Sequence, residues 1–549
     1  MLHDKPSSVP STALTPLRNH VFRSIWMATQ ISSLGWLIQT TAISWLMATI
    51  SASDMMVALV QASSTLPAFL LSILAGAFAD NFSRRCVMLT GHCFVALASL
   101  MLVISVALGF VSPWLILGLG FLAGCGFAVN DPAWHASVGD ILEKRDVPAA
   151  VTLMAVAYNI VRTAGLALGG PILAFFGPLA AFVLAALSNL VPIAAVSRSK
   201  WDVHSSSLPP ERVLAAIQDG LRFAAMSTPI RAAIVRGTLF GFASISILAL
   251  LPLIVRDHFA EGPITYAALL TAFAIGASSA GLAAGHLRRL VSQDRLIALA
   301  SVACAICCFV LPLTSSIWGA ALALAVGGAG WLLTWTGVDI SVQLSSPRWV
   351  VGRTLSIYHA FSSGGMAAGS LVWGATAENY SLTTAILAAA MVLLLTAGVA
   401  FVLPIKLWED SDHATSSFVP PPLALDLQPR SGPIVIKVDY VIGEQQLGAF
   451  LECMREQRLI QSRAGARNWT LQRNLRIPVL WTEAFKTPTW TDYLRLNQRL
   501  SAADRDLRDR LAALHCGGFP PEPVLSIERA TGSVSYFQPM RSARPQEFT

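Results

Sequence analysis

The sequence predicts an all-α membrane protein of two six-helix bundles, followed by a smaller soluble α+β domain. Three observations lead to this fold class. Of the 549 residues, 54% are hydrophobic and only 13% are charged, well below the roughly 25% charged content of ordinary soluble domains. Twelve apolar runs lie before residue 405, each near the ~20 residues that cross a bilayer. Residues that match at a constant offset of 200 indicate that the runs form two related sets of six.

Polar or charged residues bound each of the twelve predicted spans, which we number one to twelve. Their ranges are 22–49, 55–79, 86–110, 114–139, 149–175, 178–197, 230–255, 264–287, 294–313, 317–343, 350–377 and 382–404.

Basic residues alternate between the predicted loops and so predict an orientation. Lys and Arg are abundant in every second loop and nearly absent from the others, where Arg256 is the exception. Because such residues stay on the cytoplasmic side, we expect a multi-pass protein of the bacterial inner membrane with both termini in the cytoplasm. No signal peptide is expected. The net charge of +7 fits an anionic lipid leaflet, and no nucleic-acid partner is expected.

Helices five and eleven carry the internal repeat. Tyr158 matches Tyr358, and the further matches are Gly165 with Gly365, Ala167 with Ala367 and Gly169 with Gly369. Duplicated halves of this kind build many secondary transporters, whose substrate site lies between the halves near the midplane.

The domain organisation follows from the change in composition after the last span. We expect bundles at 1–197 and 229–404, a cytoplasmic central loop with an amphipathic helix at 198–228, a linker at 405–433, a soluble domain at 434–530 and a tail at 531–549. Alternation in IVIKVDYVI, NWTLQRNL, PVLWTEAFK and PVLSIER predicts strands. With the intervening helical patterns they give the order β-α-β-β-α-β, which is the ferredoxin-like pattern.

The stretch GAFADNFSRR, between helices two and three, resembles a family signature. It is similar to the major facilitator motif GxxxD(R/K)xGRR, keeping Gly76, Asp80, Arg84 and Arg85. It departs from the motif at positions 81 and 83, where Asn and Ser stand. We expect Asp80 to meet the positive end of helix eleven and Arg353, which would hold the cytoplasmic side closed. The alternative is that these are only solvated loop charges.

Longer stretches narrow the resemblance. AVNDPAWHASVGDIL, YNIVRTAGLALGGP and VVGRTLSIYHAFSSGGMAAGSLVWG resemble the major facilitator subgroup of the enterobactin exporter and of transmembrane secretion effectors. The C-terminal domain resembles antibiotic-biosynthesis-monooxygenase folds. The resemblance implies a major facilitator fold and the export of a siderophore-like or drug-like small molecule.

Arg162 is the first candidate for a substrate or coupling site. A charge near the bilayer midplane is costly unless it faces a partner or a cavity. Asp131 in helix four is at a comparable depth, and Asn159 precedes Arg162 by one turn. Two interpretations stay open: Arg162 and Asp131 tie two helices together, or they serve substrate binding or proton coupling.

Further candidates lie in other spans. His359 and Asp339 are titratable groups in predicted helices eleven and ten, and Gln39 lies in helix one beside Trp36 and Trp45. A lone histidine in a membrane helix is also often a hydrogen-bonded packing residue. The glycines of helix five, Gly165, Gly169 and Gly170, predict that a neighbouring helix packs closely against it. Pro171, which follows them, predicts a local bend.

The absence of a GxxxxGK[ST] loop argues against an ATP-driven pump. Cys304, Cys307 and Cys308 are expected to pack rather than to bind metal, and no cofactor is expected. The sequence therefore favours a non-enzymatic, proton-coupled exporter with lipid, proton and small-molecule partners. An importer of the same fold and a membrane-anchored sensor or enzyme are the alternatives, and the C-terminal domain is a candidate for dimerisation.

Overall fold

The computed structural model describes residues 14–143, 145–199, 201, 213–347, 349–404, 418, 420–500 and 502–528, without the side chains of 76–81, 213–216 and 502–505. The chain forms two compact units. The helical unit comprises Met1–Ser205, Pro229–Gln343 and Gly352–Lys406. The mixed unit comprises Ser206–Thr228, Leu344–Val351 and Leu407–Thr549.

Long helices make up the helical unit. They are α1 (His20–Ile50), α2 (Asp54–Asn81), α3 (Arg84–Ala107), α4 (Pro113–Ile141), α5 (Val147–Arg198), α7 (Thr228–Leu253), α8 (Pro263–Leu290), α9 (Gln293–Val310), α10 (Ile317–Leu344), α11 (Val351–Asn379) and α12 (Leu382–Val402). A short π-helix, Ile254–His258, extends α7.

Every predicted span coincides with a helical segment, and spans five and six both lie in α5, which a kink at Gly177 divides between them. The backbone of α5 leaves helical geometry at Gly177, where φ is +75°, a value that glycine adopts without steric cost. Helical geometry continues through Pro171, so the main break lies beyond the bend expected there. In the described residues, nine helices are long and apolar enough to cross a membrane. Helices α1 and α11 are outside this set, and both have polar side chains at many positions.

The two halves of the helical unit repeat one packing arrangement. A Cβ atom at Gly165 would lie 2.7 Å from the Cβ atom of Leu37, so α5 packs closely on α1. A Cβ atom at Gly365 would overlap the carbonyl oxygen of Thr238, so α11 packs closely on α7. The same relationship recurs one turn further along, between Gly169 and Thr41 and between Gly369 and Phe242. Matching glycines therefore face matching neighbours, as duplication of a six-helix half requires.

The mixed unit contains a four-stranded antiparallel sheet in the order β2-β3-β1-β4. Its elements are β1 (Ile434–Val441), α13 (Leu447–Ala464), β2 (Arg467–Arg473), β3 (Leu480–Thr487), α14 (Trp490–Gln498), α15 (Ala502–Ala513) and β4 (Pro523–Ile527). The strands coincide with those predicted, and α14 is an additional helix between β3 and β4. Phe450 and Met454 of α13 pack with Phe485 of β3 and Leu507 of α15 in the core.

Helix α6 (Val213–Met226) also packs within the mixed unit. Arg222 donates from Nη1 to the carbonyl oxygen of Ala466 at 3.1 Å, and Arg499 forms an ion pair with Asp219 at 2.9 Å. Phe223 is buried and meets the Trp349 ring edge-on at 5.8 Å. The buried face of this amphipathic helix therefore covers protein of the mixed unit.

Candidate functional site

A cavity of about 860 Å³ lies in the middle of the helical unit. Helices α1, α2, α4, α5, α7, α8 and α11 contribute to its lining, so both halves build it. The volume is within the range of small-molecule sites, roughly 300–1,000 Å³. Its lining includes the side chains of Arg162, Asp131, His135 and His359.

Arg162 of α5 lines the cavity. This position avoids the free-energy cost of placing its charge in an apolar surrounding. Its guanidinium carbon lies 5.9 Å from the centre of the Phe273 ring on α8. A cation over the face of an aromatic ring is attracted to the ring's negative face. This contact joins the first half to the second and leaves most of the five guanidinium donors of Arg162 available to a ligand.

Asp131 also faces the cavity, but it pairs within its own helix. Its Oδ1 atom lies 3.8 Å from Nε2 of His135, one turn further along α4. In the part of the chain that the structure describes, no ion pair joins Asp131 to Arg162, so the interpretation that these two residues tie α4 to α5 does not hold in this conformation. The i,i+4 spacing places His135 and Asp131 on one face of α4, so His135 is a nearer partner for Asp131 than Arg162 is.

A second histidine–carboxylate pair lies in the other half. Nε2 of His359 on α11 lies 3.6 Å from Oδ1 of Asp339 on α10. His359 lines the central cavity, whereas Asp339 contacts His359 but is not part of the cavity lining. The structure thus brings together two residues that were separate candidates in the sequence.

Besides Asp339, two predicted substrate or coupling residues lie outside the cavity lining. Asn159 donates from Nδ2 to the carbonyl oxygen of Ala155, in the preceding turn of α5, at 2.9 Å. Gln39 is fully buried, and its Oε1 accepts a 2.7 Å hydrogen bond from Ser99 on α3. Gln39 is therefore a link between helices, because the face of α1 that it occupies turns away from the cavity.

Other lining residues were not recognised as candidates in the sequence. Among them are Gln30, Gln61, His135 and Tyr158. The sequence does contain a signal for two of them. His135 follows Asp131 at the i,i+4 spacing that puts both on one helix face, and Tyr158 matches Tyr358 in the internal repeat. Tyr158 is half exposed whereas Tyr358 is buried, so the duplicated tyrosines have diverged in environment.

Contacts between the two halves lie at one end of the cavity, at the junctions of α1 with α2 and of α7 with α8. Arg256 donates to the carbonyl oxygen of Ala48 at 2.5 Å and pairs with Asp54 at 3.3 Å. Deeper in, Tyr266 of α8 packs against Trp45 of α1, with ring centres 5.7 Å apart. We call this the aromatic end of the cavity.

Further links at the aromatic end join other helices of the two halves. Glu378 of α11 accepts hydrogen bonds from the Ser53 hydroxyl at 2.5 Å and from the Met55 amide at 3.0 Å. A Cβ atom at Gly170 would lie 2.8 Å from the carbonyl oxygen of Pro263. Gly170 therefore allows α5 to approach α8 at this end.

The opposite end of the helical unit carries the arginines of the signature motif, and we call it the basic end. Arg84 forms a 2.6 Å ion pair with Asp140 on α4, and Arg85 donates to the carbonyl oxygens of Val196 and Ser197. Arg353 is half-buried near the start of α11. The side chain of Asp80 lies outside the part of the chain that the structure describes, so the expected link from Asp80 to helix eleven stays a prediction, as does the role of Gly76 in the motif.

Two packed halves around a central cavity define a transporter-like helical membrane protein. The sequence profile of the family described as "Transmembrane secretion effector", a major facilitator type, matches residues 11–531. The chain belongs to that family.

Named relatives agree with this assignment. Macrolide efflux protein A of Streptococcus pyogenes is 24% identical over 268 residues, which is 48% of this chain. The match spans 66% of that relative's length, slightly less than two thirds. Among solved structures, an inward-facing bacterial homologue of the lysosomal transporter Spinster matches with a TM-score of 0.56 at 13% identity, covering 72% of this chain and 99% of its own. The nucleoside transporter NupG matches with a TM-score of 0.57 at 14% identity, covering 69% and 98%.

Proposed function

We propose that the protein exports a small molecule from the bacterial cytoplasm across the inner membrane, by alternating access of its two halves. Twelve membrane crossings, with spans five and six meeting at Gly177, leave both termini in the cytoplasm. The observation that carries the proposal is the central cavity, built by both halves and lined by Arg162, by the Asp131–His135 pair and by His359, whose partner is Asp339. Fixed charge of this kind inside an apolar bundle marks a transport pathway.

The lining residues support a cavity that faces the cytoplasm. It reaches Val151 and Ser356, which lie close to the first residues of α5 and α11 at the basic end. At the other end, the contacts of Arg256 and Tyr266 join the halves. With the basic end in the cytoplasm, this conformation is the one that loads an export substrate.

The substrate class follows from the lining chemistry. Trp36, Phe127 and Tyr158 supply aromatic surface, while Arg162 supplies hydrogen-bond donors and positive charge. This combination suits a drug-like or siderophore-like molecule with apolar rings and an anionic or carbonyl-rich group. The named efflux activity of the macrolide relative supports a drug-like cargo.

Proton influx is the drive that we propose. Asp131 with His135 and Asp339 with His359 place one titratable pair in each half, the first at the cavity and the second reaching it through His359. Protonation of a carboxylate changes the cost of burying it, so it can bias the equilibrium between the two access states. No bound cofactor is needed for this cycle.

For the mixed unit we propose a cytoplasmic ferredoxin-like domain that regulates or dimerises the transporter. The antiparallel strand order β2-β3-β1-β4 and the element order support this fold. If transport by a chain truncated after Leu403 equals that of the full chain, the role of this unit is confined to regulation. A chain whose only activity resides in this unit would instead be a membrane-anchored sensor or enzyme.

The test of direction is the retention of candidate molecules by cells that lack the protein. Macrolides, siderophores and fluorescent dyes are compared in deletion cells, complemented cells and cells complemented with the Arg162→Gln variant. Export predicts higher retention of at least one compound in the deletion and variant cells. Lower uptake in the deletion cells would mean import instead.

A further inference from the structure

A cleft of about 450 Å³ lies between α6 and α13 in the mixed unit, separate from the central cavity. Three arginines line it, Arg222 from α6 and Arg455 and Arg458 from α13, together with Ser462. Met226 and Leu459 complete the lining with apolar surface. We propose that this arginine cleft binds a phosphate-bearing anion.

Two carboxylates on these helices are engaged elsewhere. Glu456, between the two arginines of α13, accepts a 3.2 Å hydrogen bond from Arg510, and Asp219 of α6 pairs with Arg499 at 2.9 Å. Among the described residues, the cleft lining contains no carboxylate. Three like charges around one small volume repel each other, and an anion relieves that repulsion.

Two of the arginines are held in place by other contacts. Arg222 uses one donor on the carbonyl oxygen of Ala466 at 3.1 Å, and the guanidinium carbon of Arg458 lies 5.9 Å from the centre of the Trp469 ring. Arg455 extends from the same helix into the cleft. Since a guanidinium carries five donors, four of those on Arg222 stay available to a ligand. Planar guanidinium groups bind phosphate through paired hydrogen bonds, and the Ser462 hydroxyl adds another donor.

The cleft depends on the contact between α6 and the sheet domain. Arg499 pairs with Asp219, donates to the carbonyl oxygen of Ala464 at 2.9 Å, and stacks on Trp349 at 4.0 Å. These interactions fix α6 against the end of α13. An anion bridging Arg222 to Arg455 and Arg458 would tighten the same contact and so stabilise the mixed unit.

The shared chemistry is a phosphate group, whose source is either an anionic phospholipid headgroup or a soluble phosphate. The purified full chain is titrated calorimetrically with inorganic phosphate, with short-chain phosphatidylglycerol and with short-chain phosphatidylcholine. We expect saturable binding of an anionic probe that weakens about tenfold or more in the triple variant R222Q/R455Q/R458Q. Binding of phosphatidylglycerol alone identifies the headgroup as the source, and binding of both anionic probes identifies phosphate itself.

The control variant R430Q/R467Q/R476Q removes the same charge from arginines that do not line the cleft, and it should bind as the wild type does. Ser462→Asp places a negative charge in the cleft without removing an arginine, and it should also abolish binding. Circular dichroism verifies that each variant is folded. If neither anionic probe binds, if phosphatidylcholine binds equally well, or if binding persists in a folded triple variant or in Ser462→Asp, the proposal is overturned.

Discussion

Arg162 lies over the ring of Phe273 with 5.9 Å between the guanidinium carbon and the ring centre, a contact that joins α5 of the first half to α8 of the second. Any relative movement of the halves must alter this contact. A substrate that takes the Arg162 side chain away from Phe273 therefore couples its own binding to the interface that moves. This coupling is the reason to expect a permanent charge at this position.

Replacing Arg162 with Gln should weaken binding of an export substrate by roughly tenfold, which corresponds to ~1.4 kcal/mol. The loss arises because charge-assisted hydrogen bonds to the substrate disappear while the cavity volume is nearly kept. Binding is measured calorimetrically on the purified protein. Arg289→Gln is the matched control, because Arg289 is exposed and does not line the cavity. Equal affinity of the Arg162 variant and the wild type would remove Arg162 from the binding site.

Replacing Asp131 or Asp339 with Asn should uncouple transport from the pH gradient. Each change removes the titratable carboxylate of one histidine pair and keeps its shape. We expect accumulation driven by a pH gradient to fall about tenfold, while substrate exchange without a gradient stays within about twofold. Gradient-driven accumulation that survives in both variants would show that protons act elsewhere.

Arg256 should hold the aromatic end of the cavity closed. Arg256→Gln loses the ion pair to Asp54, and we expect that end to open more often. A cysteine placed at Ser44, in a chain without its native cysteines, should then react severalfold faster with an impermeant maleimide from outside. Glu261→Gln is the control, because Glu261 lies shortly after Arg256 in the chain and accepts a hydrogen bond from the Thr265 hydroxyl. Unchanged reactivity in the Arg256 variant would contradict a closing role.

Glu483 should make the stability of the mixed unit depend on pH. Burial raises the pKa of its carboxyl, although Trp469 donates to it at 2.7 Å and Tyr440 at 3.3 Å. The folded state therefore binds the proton more tightly than the unfolded chain, and stability falls as pH rises above the ordinary carboxyl range, about 4.3.

Hydrogen exchange of β1 and β3 in the full chain measures this effect. Comparing wild type with Glu483→Gln at each pH cancels the intrinsic pH dependence of exchange. The wild type should lose protection relative to the variant as pH rises above the ordinary carboxyl range, about 4.3. A constant ratio above that pH would mean that Glu483 does not titrate there.

Much of the fold could be predicted from the sequence, because a bilayer restricts helix length and hydropathy severely. All twelve apolar intervals are helical, and the repeat of Gly165 and Gly365 coincides with a repeated packing contact. The gap between predicted spans five and six coincides with the kink at Gly177, but the backbone conformation of the kink could not be predicted, since a single positive φ angle decides it. The elements that pack against α6 could not be predicted either, because an amphipathic pattern indicates that one helix face is buried but not what covers that face.

The site was predictable in part for the same kind of reason. Arg162 and His359 reach the cavity because charge in an apolar helix requires a polar surrounding. Asn159 and Gln39 instead satisfy their hydrogen bonds locally or with a neighbouring helix, an option that uncharged amides have and that sequence does not reveal. His135 was overlooked although its spacing from Asp131 was informative.

Transport in proteoliposomes tests the central claim most directly. The full chain is reconstituted into lipid vesicles, and a compound that deletion cells retain is added to the outer solution. Protein molecules that are inserted inside-out present their cytoplasmic side to this solution. A pH gradient is then imposed, with the vesicle interior more acidic than the outer solution. The account predicts that the compound accumulates inside with the wild type, that accumulation collapses with a protonophore, and that it is lost with Arg162→Gln. Accumulation that is absent with the wild type, or equal with the Arg162 variant, would contradict it.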